Sequence, residues 1–308
     1  MINEREKIIV GSRKSLLAMK QSKLVVEKLE ALFPYNDFAI KGIVTSGDHL
    51  ETWAGDQAKG MFVKEIEEAL MCGGIDFAVH SMKDMPVDMP PGLEIAAITK
   101  REKYSDVLIS RHAKKLSDLE IGSCVGTSSP RRKMQLLLFR PDLKIIDIKG
   151  NLDTRLKKLE TGDYDAIIVA AAGIIRLGCS ERITEYLSDD IMLPAPAQGA
   201  LGIQIRKGDK KIKPLIKKLN FKKTEIEVIA EREFLRAMGG GCRVPIGALA
   251  RVKADGLYLE AIVIRNKNNF YRAQVKGSKG FPQIAAQRLA KKIKFGLAKK
   301  NSEKRGLK

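Results

Sequence analysis

The apolar positions fall into two regimes along the chain. Up to about residue 205, short apolar runs alternate with stretches of helical period; beyond about residue 246 the period drops to two. The runs at 8–11, 38–45, 75–80, 93–98, 107–110, 123–126, 144–148, 166–170 and 201–205 predict strands. Between them, Leu17, Leu24, Val25, Leu29 and Leu32 keep a helical spacing that Pro34 stops, and Phe62, Ile66 and Leu70 keep another that Gly73-Gly74 ends. A helix over 224–238 leads into the second regime. There 248–254, 257–265 and 270–275 alternate as strands, Asp255-Gly256 makes a two-residue hairpin turn, and Pro282 opens a final helix.

Strand and helix in alternation imply parallel pairing with right-handed crossovers, and ligands in such sheets bind beyond the carboxyl ends of the strands. The pattern therefore predicts α/β architecture followed by a smaller α+β unit with a three-stranded antiparallel sheet. Arg13 and the segment Ser81-Met82-Lys83-Asp84-Met85-Pro86 sit at such carboxyl ends. Residues 46–60 have no period at all and read as an exposed loop, of a length that inside a compact domain is usually functional.

Composition sharpens the picture only in places. At 308 residues the chain exceeds one ordinary core, and 44% hydrophobic content is that of a globular protein. The longest apolar run, 166–175, is shorter than the roughly 18 residues that span a bilayer. No apolar segment follows the charged first residues, which gives a cytoplasmic expectation. Cys72, Cys124, Cys179 and Cys242 lie far apart, without a CxxC pair, which argues for reduced thiols and against the common zinc spacings, so no metal is expected. The net charge of +19 is concentrated in lysine runs at 206–223 and 291–308, which read as solvated helix faces and a frayed tail. Nucleic acid is the usual partner for such charge, but no stacking platform or recognition motif accompanies it.

Two short segments carry candidate chemistry. In Thr127-Ser128-Ser129-Pro130-Arg131-Arg132, serine before proline is a helix start, and exposed N–H groups beside two arginines make a ready anion site. An ordinary cap with solvated arginines reads that segment equally well. In GGGCRVPIG (239–247), three glycines leave the backbone open, Pro245 stiffens the exit, and a guanidinium next to Cys242 favours its thiolate.

Seven segments in order carry a family resemblance: SRKSLLA (12–18), KGMFVKEIEEAL (59–70), DFAVHSMKDMP (76–86), GTSSPRR (126–132), GNLDTRL (150–156), LPAPAQGALGI (193–203) and GGGCRVPIG (239–247). The chain resembles the porphobilinogen deaminases, also called hydroxymethylbilane synthases, over nearly its whole length. The resemblance implies a transferase of tetrapyrrole synthesis that adds four porphobilinogen units to a dipyrromethane primer and then hydrolyses off the linear product. It implies that Cys242 holds the primer through a thioether and that Asp84 is the catalytic carboxylate. Cofactor binding would fall to Ser81, Lys83, Thr127, Ser129, Arg131, Arg132, Lys149 and Gly150. Substrate binding would fall to Arg13, Ser15, Arg155, Arg176 and Gln198, with Lys59 and Gly60 on the loop.

The chemistry accounts for these types: each pyrrole brings an acetate and a propionate, which arginine forks match with paired hydrogen bonds. A carboxylate near the pyrrole N–H groups stabilises positive charge and moves protons. The resemblance further implies three domains: 1–101 with 197–218 and 102–196, both like periplasmic binding proteins with the active site between them, and 219–308 carrying Cys242. It implies a monomer that hands its product to uroporphyrinogen-III synthase, with neither nucleic acid nor membrane as partner. Two departures stand out: Lys149 where the family usually has arginine, and a short loop with Gln57-Ala58 where it has a glycine pair. A solute-binding module would share the cleft, and a nucleic-acid binder would share the charge. Neither explains the glycine-cysteine loop together with Asp84.

Overall fold

The computed structural model describes residues 7–46, 63–239 and 245–305. The chain divides into two compact units, residues 1–101 with 200–225 and residues 102–199 with 226–308.

The first unit is built on a five-stranded mixed sheet of order β2-β1-β3-β10-β4. These strands are β1 (Lys7–Arg13), β2 (Asp37–Ile43), β3 (Phe77–Ser81), β4 (Leu93–Ile98) and β10 (Leu201–Arg206). β1 runs parallel to β2 and β3, whereas β10 lies antiparallel between β3 and β4. Helix α1 (Leu16–Leu32) starts at Ser15, whose hydroxyl accepts the Ala18 N–H at 3.4 Å. It buries Val25, Val26 and Leu29 against Ile8, Val10, Phe77 and Ile203. The opposite face is covered by α2 (Lys64–Met71), through Ile66 and Leu70 on Ile75 and Ala78. Gly73 ends that helix with φ +74°, which a side chain would strain.

The second unit has another five-stranded mixed sheet, of order β7-β6-β8-β5-β9. Its strands are β5 (Asp106–Ser110), β6 (Cys124–Gly126), β7 (Lys144–Ile146), β8 (Ala166–Ala170) and β9 (Glu185–Tyr186). β6, β7 and β8 are parallel, and β5 is antiparallel to β8. The connecting helices are α3 (Pro130–Phe139), α4 (Leu152–Glu160) and α5 (Ala171–Leu177). Both mixed sheets thus turn one inner strand against the rest, which the wholly parallel pattern expected from alternation did not include.

Helices α6 (Ile212–Lys217) and α7 (Lys222–Ala237) follow β10. The antiparallel sheet comes next, of order β11-β12-β13 over Ile246–Lys253, Gly256–Asn266 and Asn269–Gly277, with helix α8 (Pro282–Arg305) behind it. Leu249, Ile262 and Ile264 pack with Met134 and Leu138 of α3. The outer edge of β11 is closed by acceptors: Ala248 N–H donates to the Pro194 carbonyl, Ala250 N–H to Glu231 at 2.7 Å and Val252 N–H to Glu227 at 3.0 Å. Two helix carboxylates in this way complete a strand edge that would otherwise expose its donors. The basic segment after 291, expected as a frayed tail, continues helix α8 to Arg305, because Ile293 and Leu297 still face the core.

Candidate functional site

In the first unit, β3 delivers Ser81 to the sheet's carboxyl end, and the chain turns there, with Asp84 N–H donating to the Ser81 carbonyl at 3.0 Å. Met82 and Met85 are buried on either side of Lys83-Asp84 and pin the turn. Met82 fits because residue 202 has no side chain: a Cβ on Gly202 would collide with the Met82 sulfur. Its N–H also donates to the Ala200 carbonyl at 3.0 Å. The anchored methionines leave Asp84 exposed, and its carboxylate makes no hydrogen bond or ion pair among the described residues. Arg13 ends β1 at the same edge of the sheet, and Ser15 lies next to it as the cap of α1.

Beneath this turn runs a buried polar chain that the sequence did not announce. Glu67 of α2 accepts from Gln204 Nε2 at 2.8 Å, and Gln204 Oε1 lies 3.0 Å from His80 Nε2. His80 therefore carries its proton on Nε2 when neutral. Burial pushes the His80 pKa down from 6.5 to about 4, against the opposing pull of Gln204 and Asp84.

In the second unit, Ser129 caps α3 by accepting the Arg132 N–H at 3.4 Å, and Pro130 follows it. Thr127 is buried, and its hydroxyl accepts from the Ser129 N–H at 3.3 Å. Gly150 has φ +104° at the end of the β7 segment, and its carbonyl accepts from Arg155 Nε at 2.9 Å. Lys149 is exposed beside it.

Arg131 and Arg132, expected as cofactor ligands, both turn inward. Arg131 Nη1 reaches Asp106 Oδ2 at 2.6 Å and the Leu193 carbonyl at 2.8 Å. Arg132 donates to Asp106 Oδ1 from Nε at 3.0 Å and Nη2 at 2.7 Å, and to the Ile168 carbonyl from Nη1 at 3.0 Å. Gln198 Nε2 adds a donor to the same Asp106 oxygen at 2.9 Å. The two guanidiniums hold the Asp106 carboxyl far below the usual carboxylate range even though it is fully buried.

Arg176 stands in contrast. It is 8% exposed and donates to the Gly199 carbonyl at 2.6 Å, yet it has no ion pair among the described residues. Burial lowers its pKa to about 10, with Glu102 opposing. A buried cation without a bonded counter-charge is costly, and an incoming carboxylate would relieve it.

Cys242, Lys59 and Gly60 lie outside the described residues. Cys72, Cys124 and Cys179 are free thiols. No cluster of metal-ligating side chains occurs among the described residues, and no described helix is long and apolar enough to cross a membrane.

An α/β protein whose strand ends gather an exposed carboxylate in one unit and undercompensated guanidiniums in the other is equipped to handle polycarboxylate ligands. Comparison with known proteins makes this specific. Residues 8–214 match the family model "Porphobilinogen deaminase, dipyromethane cofactor binding domain", and residues 225–295 match "Porphobilinogen deaminase, C-terminal domain". The porphobilinogen deaminase of Pelotomaculum thermopropionicum is 45% identical over 294 residues, covering 94% of each chain. That of Thermus thermophilus is 46% identical over 88% of this chain and 89% of its own, and that of Bacillus subtilis 52% over 78% and 77%. Among solved structures, the aliphatic sulphonate binding protein SsuA of Escherichia coli is a distant likeness, 16% identical with a TM-score of 0.40 over 76% of this chain and 71% of its own.

The chain belongs to the porphobilinogen deaminase family: it is a transferase of tetrapyrrole biosynthesis that polymerises porphobilinogen and uses a dipyrromethane cofactor.

Proposed function

We propose that Asp84 is the catalytic carboxylate, that Cys242 anchors the dipyrromethane, and that the second unit's cations hold its carboxylates. The observation that carries this reading is the exposed Asp84 carboxylate, without a partner among the described residues, on a turn that Met82 and Met85 fix. Two acceptor oxygens so placed can take hydrogen bonds from a pyrrole N–H and stabilise the positive charge that builds as porphobilinogen loses ammonia. Being exposed, the same group can accept the proton that the attacking α-carbon sheds as its pyrrole regains aromaticity.

The residues present fit the cofactor. Arg176 is buried without a bonded counter-ion among the described residues, and the Ser129 end of α3 offers N–H groups and a hydroxyl to carboxylate side chains. Ser81, Lys83, Thr127, Ser129, Arg131, Arg132, Lys149 and Gly150 would surround it, and Arg13, Ser15, Arg155, Arg176 and Gln198 would bind the incoming substrate. When bound, the cofactor supplies a nucleophilic pyrrole α-carbon as primer for four additions before the product is hydrolysed off. Lys59 and Gly60 would approach from the loop. The separate sheet of β11–β13 supports reading 219–308 as a third domain beside 1–101 with 197–218 and 102–196. We read the enzyme as a cytoplasmic monomer that passes its product to uroporphyrinogen-III synthase.

Intact-mass measurement tests the assignment of Cys242. The purified enzyme should be heavier than its sequence by two pyrrole units, a mass that survives reducing agent because a thioether does not exchange. Cys242→Ser should have the bare mass and no activity. An active enzyme with unmodified Cys242 would overturn the assignment.

A further inference from the structure

The arginine pair at the start of α3 is not symmetric. All three guanidinium nitrogens of Arg132 are engaged, two with Asp106 and one with the Ile168 carbonyl. Arg131 uses only Nη1, for Asp106 and Leu193. Its Nε and Nη2 make no hydrogen bond among the described residues, and neither is sealed in as a buried orphan. Both side chains are nearly buried, at 7% and 6% exposure for Arg131 and Arg132. Around one carboxylate stand two guanidiniums, so the cluster keeps one positive charge to offer.

We propose that Asp106 is the positioning residue of the carboxylate site: it spends Arg132 as a structural clamp and holds Arg131 so that its Nε–Nη2 edge alone faces ligand. Side by side, two guanidiniums repel; a carboxylate between them fixes both in planes that its two oxygens define. Oδ2 takes Arg131, while Oδ1 takes Arg132 and Gln198. Gln198 also donates to the Tyr104 carbonyl at 2.7 Å, so the carboxylate is braced from the 194–199 segment as well. The remaining edge of Arg131 is a fork, the shape that matches a planar carboxylate with two hydrogen bonds. Burial lowers the Arg131 pKa despite Asp106, which agrees with a cation short of one more anion.

This inference rests on reading the second unit as the holder of the primer's carboxylates. Its test uses the full-length chain, freed of cofactor and then incubated with porphobilinogen, with intact mass and melting temperature read in parallel. Arg131→Gln should melt within about 3 °C of the parent and fail to gain the two-pyrrole mass. Arg132→Gln should lower the melting temperature by roughly 10 °C, because it takes two charge-assisted hydrogen bonds and one of two ion pairs from a fully buried carboxylate. The double variant Asp106→Asn with Arg132→Gln deletes one ion pair whole, keeps the cluster's single positive charge on Arg131, and should recover part of that loss. It should still load primer at least tenfold more slowly than the parent, because nothing then orients Arg131.

A double variant that regains stability and loads like the parent would reduce Asp106 to a purely structural role and overturn the proposal. So would an Arg131→Gln protein that loads normally while the parent does. A parent chain that gains no mass would instead sink the primer reading, and this inference with it.

Discussion

Each mixed sheet buries a carboxylate below the edge where its functional residues lie, and the two units treat it in opposite ways. In the first, the Glu67 carboxylate and the His80 imidazole are kept apart by the amide of Gln204. Burial raises the Glu67 pKa and lowers that of His80, so both are pushed toward neutrality. In the second, Asp106 is ionised and clamped between two guanidiniums. The difference follows the work expected above each. On the proposed reading of Asp84, a charged imidazolium beneath it would pair with it and take it from substrate, whereas a neutral one leaves that carboxylate available. On the proposed reading, a cluster that receives carboxylates must keep a net positive charge, and this one is left one anion short.

Several variants would break or sharpen this contrast. Among the cations, Arg176→Gln should have the largest effect on catalysis: losing a desolvated cation that meets a ligand carboxylate costs about 2–5 kcal/mol, at least ~30-fold in kcat/KM. In cofactor-free protein the same change should leave stability unchanged or raise it, because Arg176 has no ion pair there among the described residues. Steady-state kinetics and denaturant melts read the two halves separately. Lost stability in the cofactor-free variant would mean that Arg176 is already compensated.

The pH dependence of stability should separate the units. For His80, the unfolded chain takes up a proton below pH 6.5 that the folded chain refuses until about pH 4. Its contribution is thus complete above pH 6.5 and is lost as the pH falls to about 4, by roughly 3 kcal/mol. Glu67, with its raised pKa, works the other way and offsets part of this loss as it takes up its proton. Asp106, held below its ordinary 3.8, keeps its contribution until the pH drops beneath that value. Urea unfolding of the parent and of His80→Gln from pH 4 to 8 checks the point, and the variant should lose most of the slope.

A smaller effect belongs to Glu231, which is fully buried and accepts from the N–H groups of Ala197 at 2.5 Å and Ala250 at 2.7 Å. Ala197 sits at φ +65°, a conformation uncommon for a residue with a side chain, so this bond holds a strained position. Glu231→Gln should cost about 1–3 kcal/mol in the denaturation midpoint. Lys149→Arg, at an exposed site, should change stability by less than about 0.5 kcal/mol and leave kcat/KM near the parent's.

Periodicity revealed most of the elements, because each strand and helix here buries one consistent face. The strand at 166–170 was legible to the residue. The two-residue β9 was not, since so short a run has no period. Nor did alternation reveal that β5 and β10 run antiparallel, for which the direction of return had to be known. At the site, motif order pointed to Asp84 and to the cations. The residues behind them were silent for a common reason: Asp106, Gln204 and Glu231 each act on partners more than 18 positions away, and an isolated polar residue in an apolar run looks like any solvated one. Even Arg131-Arg132 read as a pair of equals, because only the placement of Asp106 makes them differ.

The division of labour, with chemistry in the first unit and carboxylate holding in the second, is tested most directly by Asp84→Asn, assayed for bound cofactor by intact mass and for turnover of porphobilinogen in the same preparation. The account predicts a folded protein with the full two-pyrrole mass and a rate reduced by roughly 10²–10⁴. Near-normal turnover with that mass in place would contradict it.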